Sequence, residues 1–261
     1  MPSTGHRPDD EMPLVSVILT TRDRPRLLAL ALRYYHYQTY PRRELIVVDD
    51  GEFFPADREA VEAVNGRLTR MPPGTPLGAK LNAGVEQANG SLCQKMDDDD
   101  WYAATFQERM IAAMRESHRV VCRPTVAFLV PFLFFDVARW EVRQSHPNNA
   151  PGATFLFSRD AWEIRPFRPL FQDEDVWFFL DQLRNGGTVL PVRALECFLA
   201  VRHRGSSGDR DHVWTHQYDG STLEDTLKGR PVYERRPEDL LPGFALDVYR
   251  QLQQELLIAA K

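Results

Sequence analysis

The sequence is poor in cysteine. Three cysteines, Cys93, Cys122 and Cys197, are scattered over 261 residues, and none has the close spacing of a metal-binding pair. An odd, sparse set argues against a disulfide framework and predicts a reduced environment, so we expect a cytoplasmic protein.

Long apolar runs and long basic runs are also absent. The longest apolar stretch, 126–135, is interrupted by Pro131 and is too short to span a bilayer. Residues 1–13 are polar and contain no apolar core of a signal peptide. The net charge is −5, and without a basic run there is no strong sign of nucleic-acid binding. We therefore expect a soluble protein with no transmembrane segment, and we leave peripheral membrane contact open.

The most unusual feature that is present is a run of four aspartates, 97–100. It follows a short strand pattern, 91–96, and precedes a helical pattern, 103–115. Ligands of open α/β sheets bind where strands end, and Mg²⁺ or Mn²⁺ binds carboxylate oxygens that it often shares with substrate phosphates. The run therefore indicates a metal site for a phosphate-bearing substrate, or else a solvated acidic turn that stabilises the next helix.

Strand and helix patterns alternate through the first half of the chain. The predicted strands are 14–20, 44–48, 68–71 and 91–96, and the predicted helices between them are 25–38, 56–65 and 77–88. The first strand is a nearly continuous β-branched run, which is typical of a parallel sheet buried on both faces. Strand, helix and strand at this spacing form a right-handed βαβ unit, so the sequence predicts an α/β fold with a mainly parallel sheet.

Three of these strands end in polar clusters. The clusters are 20–24, 49–50 and 97–100. Because the carboxyl ends of parallel strands meet at one edge of a sheet, we expect the clusters to converge there. If the clusters were only solvated turns, each of the three would need a separate explanation. Their convergence at one edge therefore favours a ligand site.

The second half of the chain is less regular. Strands are predicted over 120–135, 153–158 and 195–201, and helices over 176–183 and 244–260. The stretch 139–150 is polar and predicted to be irregular, and the glycine- and serine-rich stretch 205–212 is predicted to be a loop. We find no internal repeat and no clear linker between independent domains.

Three motifs together resemble glycosyltransferase family 2: Pro13 to Arg24, Leu45 to Gly51, and Met96 to Asp100. The resemblance implies a GT-A fold, in which a Rossmann-like, mainly parallel sheet flanked by helices is joined to an acceptor-binding second half. Mapped onto this chain, it gives a disordered lead-in (1–12), a nucleotide-sugar-binding half (13–118), an acceptor-binding and catalytic half (119–212) and a C-terminal helical appendage (213–261).

Further short motifs support the resemblance and imply individual roles. Lys80-x-Asn82-x-Gly84, Glu174-Asp175 and Arg202-His203 resemble the family's basic-x-Asn-x-Gly element, its acidic pair with the catalytic base, and its late Arg-His element. The residues implied at a nucleotide-sugar donor are Thr20, Thr21, Arg22, Arg24, Asp50, Lys80, Asn82, Asp97 and Asp98. Asp99 and His203 are implied at a bound Mn²⁺ or Mg²⁺, and Asp175, beside Glu174, is implied as the base.

The chemistry of an inverting transfer fits two separate acidic centres. The diphosphate leaving group develops negative charge, which a divalent cation offsets. The acceptor hydroxyl is a poor nucleophile and needs a carboxylate to take its proton. In-line displacement places that base across the sugar from the diphosphate. We therefore expect a metal-assisted glycosyltransferase with a nucleotide-sugar donor, a UDP-sugar in particular, and an acceptor that the sequence does not identify.

Some positions depart from the family pattern. Asp98 stands where a small residue is usual, Glu52 stands where serine is usual, and no Gln-x-x-Arg-Trp element is present, which argues against a processive polysaccharide synthase. Two alternatives remain open. A nucleotidyltransferase would share the α/β half but would need a glycine-rich phosphate loop, whereas 20–24 contains no glycine. A non-catalytic nucleotide-binding protein of the same fold would bind nucleotide and not depend on Asp175.

Overall fold

The computed structural model describes residues 12–120, 125–147, 150–203 and 229–259. The strands are β1 (Val15–Thr21), β2 (Arg43–Asp49), β3 (Gly66–Arg70), β4 (Leu92–Asp97), β5 (Trp101–Tyr102), β6 (Val126–Leu129), β7 (Leu133–Asp136), β8 (Glu141–Gln144), β9 (Leu156–Ser158), β10 (Val189–Val192) and β11 (Phe198–Arg202). The helices are α1 (Pro25–His36), α2 (Arg58–Glu62), α3 (Leu77–Glu86), α4 (Phe106–Val120), α5 (Arg159–Ile164), α6 (Glu174–Arg184), α7 (Pro237–Leu240) and α8 (Gly243–Ala259).

The strands form two sheets. The main sheet has seven strands in the order β10-β6-β9-β4-β1-β2-β3, and the second has four in the order β5-β11-β7-β8. In the main sheet β9 runs antiparallel to β4 and β6, whereas the other neighbours are parallel. The predicted α/β fold with a mainly parallel sheet is confirmed.

The first strand shows why this sequence forms such a sheet. All seven residues of β1 are buried. Val17 and Leu19 face a core that includes α1, whereas Ile18 packs with Leu81 and Val85 of α3 on the opposite face. Each such side chain contributes about 1.5–3 kcal/mol when it is removed from water. The continuous apolar run thus reflects helices packed on both faces of the sheet.

The predicted polar clusters converge at one sheet edge. β1 pairs in parallel with β2 and with β4, and Thr20 lies opposite both Val48 and Asp97 in the register. The next pair in the same register is Thr21 and Asp49. The three strands therefore end together, and the polar residues that follow them surround a common edge.

The second half departs from the predicted pattern in several places. Within the stretch predicted to be irregular, β8 pairs with β7, and the helix predicted to end at Arg115 continues to Val120. The described C-terminal residues contribute Ala245 and Tyr249 to the main core. Most of the predicted lead-in and all of the predicted loop 205–212 lie outside the described residues. No described helix is both long enough and apolar enough to cross a membrane.

Candidate active site

The four adjacent aspartates divide into two groups. Asp97, Asp99 and Asp100 each direct one carboxylate oxygen to a common place, where these oxygens lie within 4.8 Å of one another. Asp98 is held apart, since it accepts hydrogen bonds from Thr21 Oγ1 at 2.6 Å and from Arg24 Nη1 at 2.9 Å. Three carboxylates, rather than the whole run, therefore form the candidate metal centre.

The surroundings of this centre suit a divalent cation. His203 is 1% exposed, and its Nε2 lies 3.7 Å from Asp99 Oδ2. Neither ring nitrogen of His203 has a hydrogen-bond partner among the described residues. Burial and the neighbouring Asp99 raise the pKa of Asp100 well above its ordinary value, because the ionised form lacks solvent. Oxygen-rich ligands of this kind fit Mg²⁺ or Mn²⁺.

Arg24 also contributes positive charge to the cluster. Its Nη1 lies 2.9 Å from Asp98 Oδ1 and 3.0 Å from Asp99 Oδ2. Burial raises the pKa of Asp98, and Arg24 opposes that rise. The family resemblance implies that Thr21 and Arg24 lie at the donor. In the structure, their hydrogen bonds to Asp98 keep its carboxylate apart from the three that converge.

A second polar group lies at the end of β2. Asp50 is fully buried and accepts hydrogen bonds from Lys80 Nζ at 2.6 Å and from the Gly74 N–H at 3.1 Å. Arg22 Nε lies 3.8 Å from Asp50 Oδ2. Lys80 also donates to the Thr21 carbonyl at 3.3 Å. Residues from β1, β2 and α3 thus meet where the resemblance places the nucleotide.

Two other residues implied at the donor have different surroundings. Thr20 is buried at the end of β1. Asn82 uses its amide to hold the segment before α6: it donates to the Phe167 carbonyl at 2.8 Å and accepts from Trp162 Nε1 at 2.8 Å and the Phe167 N–H at 3.0 Å. The structure thus gives Asn82 a clear role in packing the two halves together, and its contact with a donor stays a prediction.

The acidic pair at the start of α6 has two different environments. Glu174 is 3% exposed, and burial together with Asp175 raises its pKa to about 8. Asp175 is only partly buried, and its Oδ1 accepts a hydrogen bond from the Val176 N–H at 2.7 Å. Burial raises the pKa of Asp175 above its ordinary value, whereas nearby Lys95 opposes the rise. Asp175 is therefore the member of the pair that is partly open to solvent.

The sequence analysis did not identify Lys95 as part of the site. Lys95 is 3% exposed, and its Nζ lies 2.7 Å and 3.0 Å from the two carboxylate oxygens of Asp97 and 3.7 Å from Glu174 Oε1. A signal was present, because Lys95 is a charged residue in a buried strand and precedes Asp97 by two positions, which places both on one face. The residues next to Lys95 in the sequence give no indication that its side chain contacts α6.

Asp23 was also missed. Its Oδ1 accepts hydrogen bonds from the backbone N–H groups of Glu52, Phe53 and Phe54 at 2.9, 2.8 and 2.9 Å. Asp23 adopts a left-handed backbone with φ of 53°, which aspartate tolerates better than most residues. It fixes the loop after β2 against the end of β1, beside Asp50.

Sequence comparison relates this chain to known glycosyltransferases. Residues 16–173 match the sequence model of the family described as Glycosyl transferase family 2. An uncharacterized glycosyltransferase of Haemophilus influenzae is 25% identical over 188 residues, which are 67% of this chain and 73% of that protein. The amylovoran biosynthesis glycosyltransferase AmsE of Erwinia amylovora is 30% identical over 112 residues, which are 40% of each chain.

Solved structures share the fold. S. aureus TarS in complex with UDP-GlcNAc superposes with a TM-score of 0.59 at 19% identity, covering 74% of this chain and 60% of that one. The mannosyltransferase PcManGT from Pyrobaculum calidifontis, in complex with GDP-Man and Mn²⁺, gives 0.56 at 15% identity over 77% of this chain and 60% of that one. The chain thus spans less than two thirds of these structural relatives and has a GT-A-like fold. Because the family match covers more than half of its residues, the chain belongs to glycosyltransferase family 2.

Proposed function

We propose that this protein transfers a sugar from a nucleotide-sugar donor, a UDP-sugar, to the hydroxyl of an acceptor with inversion at the sugar, assisted by Mn²⁺ or Mg²⁺. The observation that carries the proposal is the placement of the Asp97, Asp99 and Asp100 carboxylates at the common edge of β1, β2 and β4. The acidic pair that begins α6 lies nearby, where Glu174 is 3.7 Å from Lys95 of β4. The UDP-GlcNAc bound to TarS and the GDP-Man and Mn²⁺ bound to PcManGT support a nucleotide sugar and a metal.

The chain's own residues would act on the donor in two places. Asp50, aligned by Lys80 and Arg22, would bind the base and ribose at the end of β2. Asp97 would contact the ribose, and Asp99 with His203 would hold the cation at the diphosphate. When bound, the cation would offset the negative charge that the leaving diphosphate develops. Arg24 would keep Asp98 and Asp99 oriented throughout.

Asp175 would take the proton from the acceptor hydroxyl. It is partly exposed, and its raised pKa makes it a stronger base than an ordinary aspartate. Glu174, with a pKa of about 8, would remain mostly protonated near neutral pH and would not compete for that role. Membership of a glycosyltransferase family disfavours a nucleotidyltransferase. The free, buried Cys93 and Cys197 support the proposal of a reducing, cytoplasmic location.

The proposal is tested by measuring nucleoside diphosphate release from UDP-GlcNAc, UDP-glucose and GDP-mannose, with water as acceptor, in Mn²⁺ and in EDTA. We expect release from a UDP-sugar in Mn²⁺ and its loss in EDTA. Release from GDP-mannose alone would overturn the UDP assignment, and equal release in EDTA would overturn the metal assignment. No release from any donor would contradict an enzymatic role.

A glycine in the second half should control the position of the proposed base. A Cβ built on Gly152 would lie 2.0 Å from Asp175 Oδ2 and 2.3 Å from Asp175 Cβ, so the start of α6 must move to accept a larger residue. We expect Gly152→Ala to lower kcat by about 10- to 100-fold, since small misplacements of a catalytic group are costly. Nucleotide affinity, measured by calorimetry, should stay near the wild-type value.

Gly243→Ala is the matched control, because nothing lies within 4 Å of a Cβ at that position. It should leave kcat unchanged. Equal kcat values for Gly152→Ala and the wild type would show that the close contact with Asp175 has no part in turnover.

A further inference from the structure

Lys95 is a buried cation that the proposed reaction does not yet use. It lies on β4, is 3% exposed, and has three carboxylates around its ammonium group. Its Nζ contacts both oxygens of Asp97 and lies 3.7 Å from Glu174 Oε1, and Asp175 is a further source of attraction. Burying an ammonium group costs several kcal/mol unless opposite charges offset it, so these acids account for its presence.

The acids around Lys95 come from both halves of the chain. Asp97 ends β4 and belongs to the candidate metal centre, whereas Glu174 and Asp175 begin α6 and include the proposed base. Without a cation between them, the carboxylates of Asp97 and Asp175 would repel one another across the site. Arg24, by contrast, contacts Asp98 and Asp99 and not the acidic pair of α6.

We propose that Lys95 is a positioning residue of the transfer reaction: its ammonium is the shared counter-cation of Asp97 and the Glu174-Asp175 pair. It thereby holds the base-bearing start of α6 against the donor side of the site. This inference rests on the proposed function, since it assigns Lys95 an effect on the same reaction.

The first turn of α6 is closely packed, so we expect its position to depend on the balance between Lys95 and the surrounding acids. Gly78 allows close approach, since a Cβ there would lie 3.3 Å from Glu174 Cβ, and Gly152 lies against Asp175. The first turn of α6 therefore packs closely against the rest of the fold, and we expect repulsion between Asp97 and Asp175 to displace it. A displacement of the base by about 1 Å can lower a rate on the order of 100-fold.

Two variants test the inference. Lys95→Met keeps the stem of the side chain but removes the charge, and Lys95→Arg keeps a cation. We measure nucleoside diphosphate release from the donor that the wild type uses, the Kd of the matching nucleoside diphosphate in Mn²⁺, and the unfolding midpoint. Arg67→Met is the control, because it breaks an ion pair with Glu44 at the opposite end of β2.

We expect Lys95→Met to lower kcat by about 10-fold or more and to change the nucleotide Kd much less, since ground-state binding depends less on base placement. Lys95→Arg should keep more activity than Lys95→Met. Arg67→Met should behave as the wild type.

The alternatives give different results. A purely structural lysine predicts a lower unfolding midpoint with unchanged kcat for the folded enzyme, which would overturn the inference. A lysine that serves Asp97 alone predicts that Lys95→Met weakens nucleotide binding as much as it lowers kcat, which would also overturn it. Absence of turnover by the wild type would instead overturn the proposed function, so the two failures are distinguishable.

Discussion

Asp175→Asn is expected to lower turnover by about 10²- to 10⁴-fold, the usual contribution of a general base. Glu174→Gln is expected to retain most of the activity near pH 7. The difference follows from environment: Glu174 is 3% exposed with a pKa of about 8, so glutamine resembles its protonated form. Asp175 is partly exposed and would act as the ionised base. The measurement is the steady-state rate of nucleoside diphosphate release for the two variants side by side.

Nucleotide affinity should separate loss of the base from loss of the fold. Calorimetry should give Asp175→Asn a wild-type nucleotide Kd in Mn²⁺, because this residue lies outside the donor contacts. In the wild type the rate should fall on the acid side as Asp175 becomes protonated, at a pH above its ordinary pKa of 3.8. If Glu174→Gln were the inactive variant and Asp175→Asn the active one, the assignment within the pair would be reversed.

Asp99→Asn is expected to remove most of the Mn²⁺ affinity and, with it, Mn²⁺-dependent nucleotide binding. Asp99 is the carboxylate that faces Asp97, Asp100 and the buried His203 at once. Asparagine keeps a carbonyl oxygen but lacks the negative charge, so the remaining site offsets dehydration of the ion much less well. Electron paramagnetic resonance of free Mn²⁺ measures this affinity directly, without any need for turnover.

Asp98→Asn is the matched control for Asp99→Asn. The Asp98 carboxylate accepts hydrogen bonds from Thr21 and Arg24 rather than joining the three converging oxygens. The folded Asp98→Asn variant should therefore keep Mn²⁺ affinity close to the wild-type value. A larger loss of affinity in Asp98→Asn than in Asp99→Asn would show that the ion binds the other group of carboxylates.

Local patterns in the sequence were sufficient to predict the first half of the fold. β1 and β2 are continuous apolar runs that end in polar residues, so both their burial and their shared edge follow from neighbouring residues. β8 was missed because it is a polar strand at the edge of the small sheet, where its partners are β7 and an isolated bridge to Val232. Its register depends on a partner strand rather than on its own sequence.

The residues of the aspartate run could be predicted from the sequence to form a site. Which of the four carboxylates converge could not be predicted. The resemblance identified the aspartate run, but which members converge depends on Thr21 and Arg24, whose side chains reach Asp98 across the sheet edge. The bridge from Lys95 to Glu174 joins distant parts of the chain, so neither neighbourhood contains a signal for it. Such contacts arise only when the two halves pack together.

The central claim, that this edge of the sheet binds a nucleotide through a divalent cation, is tested most directly by calorimetry on the wild-type protein. UDP, GDP and dTDP would each be titrated in Mn²⁺ and in EDTA. The account predicts that UDP binds in Mn²⁺ and binds much more weakly in EDTA. Failure of all three nucleotides to bind in Mn²⁺ would contradict it, because the acidic cluster would then have no role in holding a donor.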